Sequence, residues 1–142
     1  MIITEENKLK EIVKELEKRN DTIKEAEYYK EFLPQIAQEE LAELIQSISK
    51  IQRSMKYVSQ MQDMYEEANC EEEKRIIVGK IKSANYLRNG KLQGNLCEEI
   101  ADVLISLKWI LDLYKVNVKD VGRWINYKAD RMKKRFREGD FY

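Results

Sequence analysis

Proline occurs once in this 142-residue chain, at Pro34, and glycine only five times. These are the residues that most strongly interrupt helices, so little in the chain stops a helix once it has begun. Apolar residues recur at i, i+3, i+4 and i+7, which is helical spacing. No segment alternates as a strand would, and neither an internal repeat nor a low-complexity linker is apparent. Hydrophobic residues make up 43% of the chain and charged residues 37%, a balance that suits amphipathic helices over a disordered chain. The expectation is an all-α fold: one domain over residues 1–142, built as an antiparallel bundle of about four to six helices with short loops.

The pattern divides as follows. Thr4 can cap a first helix over Glu5–Arg19, with Leu9, Ile12, Val13 and Leu16 as its apolar stripe. Asn20-Asp21 breaks it, and Thr22 with Glu25 has capping-box spacing for the next turn. Pro34 predicts a break near Phe32-Leu33 and a fresh helix from Pro34. Its stripe is Ile36, Ala37, Leu41, Leu44, Ile45, Ile48 and Ile51, continuing through Met55, Val58 and Met61 towards Tyr65. Asn69-Cys70 marks a turn. Ile76, Ile77, Ile81, Ala84 and Leu87 face inward on the next helix, which Asn89-Gly90 should stop, leaving Lys91–Gly94 as a loop. Asn95 and Glu98 then cap the most apolar helix, Leu96 to about Tyr114, expected at the bundle centre. Asn117 caps the last, about Val118–Arg137, whose buried side should be Val121, Trp124, Ile125, Met132 and Phe136.

Histidine is absent. That excludes Ser-His-Asp and Cys-His catalysis, His-ligated zinc and the Glu-x-x-His di-iron bundle. Two cysteines, Cys70 and Cys97, are too few for a disulfide framework and are expected to pack as reduced thiols. The start of the chain has no signal-type apolar run, and no segment approaches the ~18 apolar residues of a membrane span. The chain reads as cytoplasmic. Its 26 basic and 26 acidic residues cancel, so no global field draws it to nucleic acid or a membrane.

Chemistry must therefore rest on carboxylates, Lys, Tyr or Cys. Two acidic pairs stand out: Glu40-x-x-Glu43 and Glu99-x-x-Asp102, each on one helical face and each set in an apolar run. About five acidic pairs at this spacing arise by chance in such a composition, so one alone has no weight. The shared form is the signal: Ala42 and Ala101 lie between the acids in both copies, where they would let the helices approach. Asp102 lies in the run Ile100 to Ile110, where a lone charge is expensive. Four carboxylates in one cleft repel, and a hard divalent cation, Mg²⁺ or Mn²⁺, relieves that repulsion with oxygen ligands alone. Such ions take their remaining oxygens from phosphates. A phosphate-bearing substrate is thus expected, against the alternative of a solvated or buried acidic network.

The segments QIAQEELAELIQSISK and NLCEEIADVLISL, followed by INYKADRMKKRF, resemble the MazG-like family of all-α nucleoside triphosphate pyrophosphohydrolases. The three matched segments together contain 41 residues. The resemblance implies Mg²⁺-dependent hydrolysis of nucleoside triphosphates to monophosphate and pyrophosphate. It implies metal ligands at Glu40, Glu43, Glu99 and Asp102, and substrate contacts from Asn126, Lys128 and Arg131. Arg135, one turn beyond Arg131, is a further phosphate candidate. Glu39 or Glu98 is the candidate to orient or deprotonate the attacking water. The 55 residues between Glu43 and Glu99 exceed the short spacer of compact members, so an added helix or helix extension is expected there.

Six cations between Lys128 and Arg137 also suit the end of any solvated helix. Trp109, Trp124, Tyr86 and Tyr127 could stack on a base, though aromatic residues at helical spacing are commoner in cores; none is assigned. Two other readings compete. One is a non-catalytic helical interaction protein. The other is a nucleic-acid-binding module on the basic last helix, disfavoured by Asp130, Glu138 and Asp140 and by zero net charge. Apolar stripes on more than one face point to a homodimer or homotetramer.

Overall fold

The computed structural model describes residues 5–19 and 21–139, and among these the structure is all-α. The proposed Thr4 cap, Asn20 of the first break, and Asp140 lie outside the described residues. The helices are α1 (Glu5–Lys18), α2 (Asp21–Tyr28), α3 (Leu33–Glu67), α4 (Glu71–Leu87), α5 (Gln93–Leu113) and α6 (Val118–Glu138). No described helix is long and apolar enough to cross a membrane.

α3 begins where the lone proline requires, with Pro34 in its first turn, where a missing N–H costs nothing. It then runs 35 residues, about 52 Å at 1.5 Å per residue. Residues 68–70 turn the chain, and the Sγ of Cys70 accepts the backbone N–H of Glu73 at 3.4 Å to cap α4. Both cysteines are exposed and free, so neither packs in the core as the sequence suggested; Cys70 caps a helix instead.

The expected stop at Asn89-Gly90 does not occur. Arg88–Leu92 forms a π turn in helical backbone, joining α4 directly to α5. Asn95 accordingly lies inside α5 and caps nothing. A π turn holds one residue more than an α turn. The inward residues show why it is needed. Before it they are Ile77, Ile81, Ala84 and Arg88; after it they are Leu92, Leu96, Glu99, Val103, Ser106, Ile110 and Leu113. Both runs step by four and three, but they are out of phase by one residue, which the π turn absorbs.

α3 packs along α4, the π turn and α5. The result is one long antiparallel hairpin. Its α3 seam is Leu33, Ala37, Glu40, Leu44, Ser47, Ile51, Ser54, Val58 and Met61, every one buried or half-buried. Alternating steps of four and three average 3.5 residues, the repeat of left-handed coiled-coil packing. At the closed end, Met61, Ala68 and Ile77 form a small core with Ile81 against it, and the Lys74 ammonium lies over the Tyr65 ring, 5.5 Å from its centre.

The seam corrects the expected inward faces. Ile76 and Leu87 of α4 are exposed, as are Leu41, Ile45, Ile48 and Met55 of α3, and Ile100 and Leu107 of α5. A single partner helix covers a stripe narrower than these apolar faces. Ala42 and Ala101 are also exposed; the small residues at the close approach are Ser47 and Ser106, both buried.

α1, α2 and α6 make only sparse contact with the other described helices: α1 lies beside α5 at a groove lined by Ile12, Leu16, Ile100 and Leu104, and α2 lies beside the start of α3 and the end of α5, where Ala26 is buried. α1 is tied to α5 where the Lys108 Nζ donates to the Leu16 carbonyl at 2.8 Å, a cation on a helix C-terminus. Thr22 does not cap; it sits inside α2 and its hydroxyl donates to the Arg19 carbonyl at 2.8 Å. Asn117 does cap α6, its side-chain oxygen accepting the Lys119 N–H at 3.0 Å. Gly139 closes α6 in left-handed backbone, φ 69°, where glycine has no Cβ penalty. The expected buried side of α6 is exposed throughout: Val121, Trp124, Ile125, Met132 and Phe136. The stripe exists, but among the described residues no other helix packs closely along it.

Deleting Gly90 should convert the π turn to α-helix and leave both seams in phase, with helix content and melting temperature close to wild type. Deleting Gln46 from α3, which has no π turn to absorb the loss, should rotate one half of its seam against the other by about 100° and destabilise the protein strongly. Equal loss of stability in the two deletions, measured by thermal circular dichroism, would contradict the phase argument.

Candidate metal centre

Glu40 and Glu99 occupy seam positions where a leucine would ordinarily sit. Glu43 and Asp102 lie three residues on, so both flank the seam on the same side in an antiparallel pair. Carboxylate oxygens of Glu40, Glu43 and Glu99 come within 4.8 Å of one another, and this group could hold a metal ion. Asp102 falls outside that group but is half-buried beside it, and its charge bears on both Glu40 and Glu99.

The pKa of Glu40 is raised, first by loss of solvent, then by the charges of Asp102, Glu43, Glu99 and Glu39. Glu99 is also raised, first by loss of solvent, then by Glu43, Glu98 and Asp102, with a carboxyl–carboxyl hydrogen bond to Glu43 adding to the effect. The principal charges acting on both are negative. Clustered oxygens, partial desolvation and no cation among those influences are the conditions that favour a divalent ion.

The sequence around the cluster explains this symmetry. Glu39-Glu40-Leu41-Ala42-Glu43-Leu44-Ile45-Gln46-Ser47-Ile48 and Glu98-Glu99-Ile100-Ala101-Asp102-Val103-Leu104-Ile105-Ser106-Leu107 match in kind at nearly every position. The acids and alanines alone make a shared form and no internal repeat. The serines and the paired aliphatics extend the match to a ten-residue local repeat. Two antiparallel helices carrying the same segment are related by a local twofold axis, which here passes between Glu40 and Glu99.

The remaining site residues are placed less centrally. Glu39 and Glu98 are exposed, one residue before the cluster, and Glu39 accepts a hydrogen bond from the Gln35 amide at 3.1 Å. Asn126, Lys128, Arg131 and Arg135 are all exposed on α6. Because α6 does not pack along the hairpin, the chain does not bring them onto the carboxylates.

Trp109, unassigned from sequence, lies seven residues beyond Asp102, two turns along the same helix face and about 10 Å away along the axis. Its Nε1 is buried with no hydrogen-bond partner. It lines a cavity of about 140 Å³ with Ala26, Glu27, Lys30, Leu33, Asp112 and Leu113. The missed signal was the heptad step from Asp102, legible only once the seam is known. No protein-family model, curated protein or solved structure matches the chain.

The raised values set the sign of the pH dependence. A carboxyl with a raised folded pKa contributes stability that is present below its unfolded pKa and lost as pH rises through the folded value. Glu40→Gln should therefore melt above wild type at pH 7 in metal-free buffer, with the advantage vanishing below about pH 4. A variant less stable than wild type across that range would show that Glu40 is favourably solvated or paired.

Proposed function

We propose that this chain is a Mg²⁺-dependent nucleoside triphosphate pyrophosphohydrolase of the MazG-like kind, acting in the cytoplasm as a homo-oligomer. The observation that carries the reading is the convergence of Glu40, Glu43 and Glu99, with Asp102 beside them, on one side of the α3·α5 seam. The donor set is all oxygen, which suits Mg²⁺, with Mn²⁺ as a substitute. Bound there, the ion would supply charge neutralisation on phosphate oxygens and acidify the attacking water.

The chain's own residues have separable tasks. Glu40, Glu43, Glu99 and Asp102 would hold the ion. Glu39 or Glu98, exposed at the rim, takes the proton from water attacking the α-phosphorus. Pyrophosphate then leaves and the nucleoside monophosphate remains. Asn126, Lys128, Arg131 and Arg135 are assigned to the substrate on the resemblance and on charge alone. The cavity at Trp109 supports the reading from a second direction. It lies along the same face as the carboxylates, and its unpartnered indole N–H suits a base carbonyl or ring nitrogen.

The competing reading, a non-catalytic helical interaction protein, is favoured by the exposed apolar faces. It gives no role to Mg²⁺. The two separate on pyrophosphate release from a panel of nucleotides with and without Mg²⁺. The enzyme reading expects Mg²⁺-dependent release, lost by at least about a hundredfold in Glu43→Gln with helicity intact. It expects Trp109→Ala to raise KM more than it lowers kcat. No release from any nucleotide by the folded wild type, or unchanged turnover in Glu43→Gln, would remove it.

A further inference from the structure

We propose that the groove between α3 and α4 lined by Lys50, Arg53 and Lys80 is a second ligand site, one that takes a nucleoside polyphosphate without the help of the carboxylate cluster.

The first ground is charge. The chain's equal numbers of acids and bases are unevenly spread. From Leu44 to Gln62 α3 has no acidic residue, and it carries Lys50, Arg53 and Lys56 there. From Lys74 to Cys97 there is again no acid, in a stretch with six lysines and arginines. Helical lysines are commonly balanced by an acid three or four residues away. Lys50, Arg53 and Lys80 have none at those positions. Among the described residues none of the three has an ion pair.

The second ground is placement. Lys50, Arg53 and Tyr57 each precede a seam residue of α3, as Lys80, Ser83 and Leu87 precede seam residues of α4. Both rows therefore fall on one side of the antiparallel pair. They line an open groove of about 740 Å³, and no acid is among the described residues that line it. A cleft lined by one sign of charge concentrates ions of the other. The Arg53 guanidinium can hold a phosphate by two parallel hydrogen bonds, and the two lysines add point charges. Ser54 and Ser83 supply hydroxyl donors. The rest of the lining includes Tyr57, Ile76 and Leu87, an apolar surface that suits a base and sugar better than a bare phosphate.

The third ground is Gly79, which lines the groove from the middle of α4. Glycine there weakens the helix relative to alanine. A Cβ at this position would meet no atom within 4 Å, so packing within the chain does not call for glycine. It leaves bare backbone on the groove wall, where a ligand can approach closely.

Acids at both ends of the groove select a compact occupant. Glu43 and Asp102 lie on the same side of the seam at one end, and Glu71, Glu72 and Glu73 open α4 at the other. An extended nucleic-acid backbone or an anionic lipid surface laid along the hairpin would meet both groups; a small anion fits between them. The site is not the metal centre: Lys50 lies seven residues past Glu43, about 10 Å along α3.

Isothermal titration calorimetry of the full chain with ADP in metal-free buffer tests this apart from the carboxylates, so its failure and that of the enzyme reading are distinguishable. The expected result is saturable binding that weakens as salt is raised, with pyrophosphate at least about tenfold weaker than ADP. Arg53→Ala should raise the dissociation constant at least about tenfold. Gly79→Leu, which fills the groove wall and favours the helix, should do the same with helicity retained. Lys82→Ala, on the other side of the α4 seam, should leave the constant unchanged. No ADP binding by the folded wild type, or binding that appears only with Mg²⁺, would overturn the proposal. So would equal weakening by Lys82→Ala and Arg53→Ala, pyrophosphate binding as tightly as ADP, or an Arg53-dependent preference for single-stranded DNA or phosphatidylglycerol vesicles over ADP.

Discussion

Like-charge repulsion among carboxylates held in a helical seam is the constraint around which this structure is arranged. Glu40 and Glu99 take positions that the coiled hairpin would otherwise fill with aliphatic side chains, and Glu43 and Asp102 add charge beside them. The helices cannot separate to relieve this, because the seam on either side is packed: Leu44 and Ser47 in one direction, Val103 and Ser106 in the other. The small serines let the helices approach at those points, which also keeps the acids close. A cation bound there would return the stability given up at the cluster, which is how the proposed chemistry would be tied to the fold.

The π turn at Arg88–Leu92 serves the same end. It lets α4 present Ile77 and Ile81 to the closed end of α3 while α5 presents Glu99 to Glu40. Without that extra residue one of the two faces would be turned away. The long spacer between the acidic motifs is thus an extension of two existing helices beyond the cluster, closed by the turn at residues 68–70.

Much of this was legible in the sequence. The all-α class followed from the scarcity of glycine and proline, the start of α3 from Pro34, the turn from Asn69-Cys70 and the cap of α6 from Asn117. The acidic pairs were visible as a repeated form, and the three carboxylates that converge were among those chosen. Other features were hidden for physical reasons. Asn89-Gly90 carries strong stop chemistry, yet the chain continues because both flanking segments are held on α3, and tertiary packing outweighs local propensity. The inward faces of α3 and α4 were misjudged because their apolar residues cover more than the one stripe a single partner can bury. α6 has a real amphipathic pattern, but periodicity tells that a face is apolar and not which chain covers it. Ile125 and Met132 are exposed for that reason.

The most direct test of the central claim is Mn²⁺ binding followed by electron paramagnetic resonance, with Mn²⁺ standing in for Mg²⁺. The account predicts that wild-type protein removes the free-ion spectrum saturably and that Glu99→Gln, folded to the same helix content, does so far more weakly. An unchanged free Mn²⁺ spectrum in the presence of folded wild type would contradict it, and the carboxylates would then be an acidic seam that the fold tolerates without a cation.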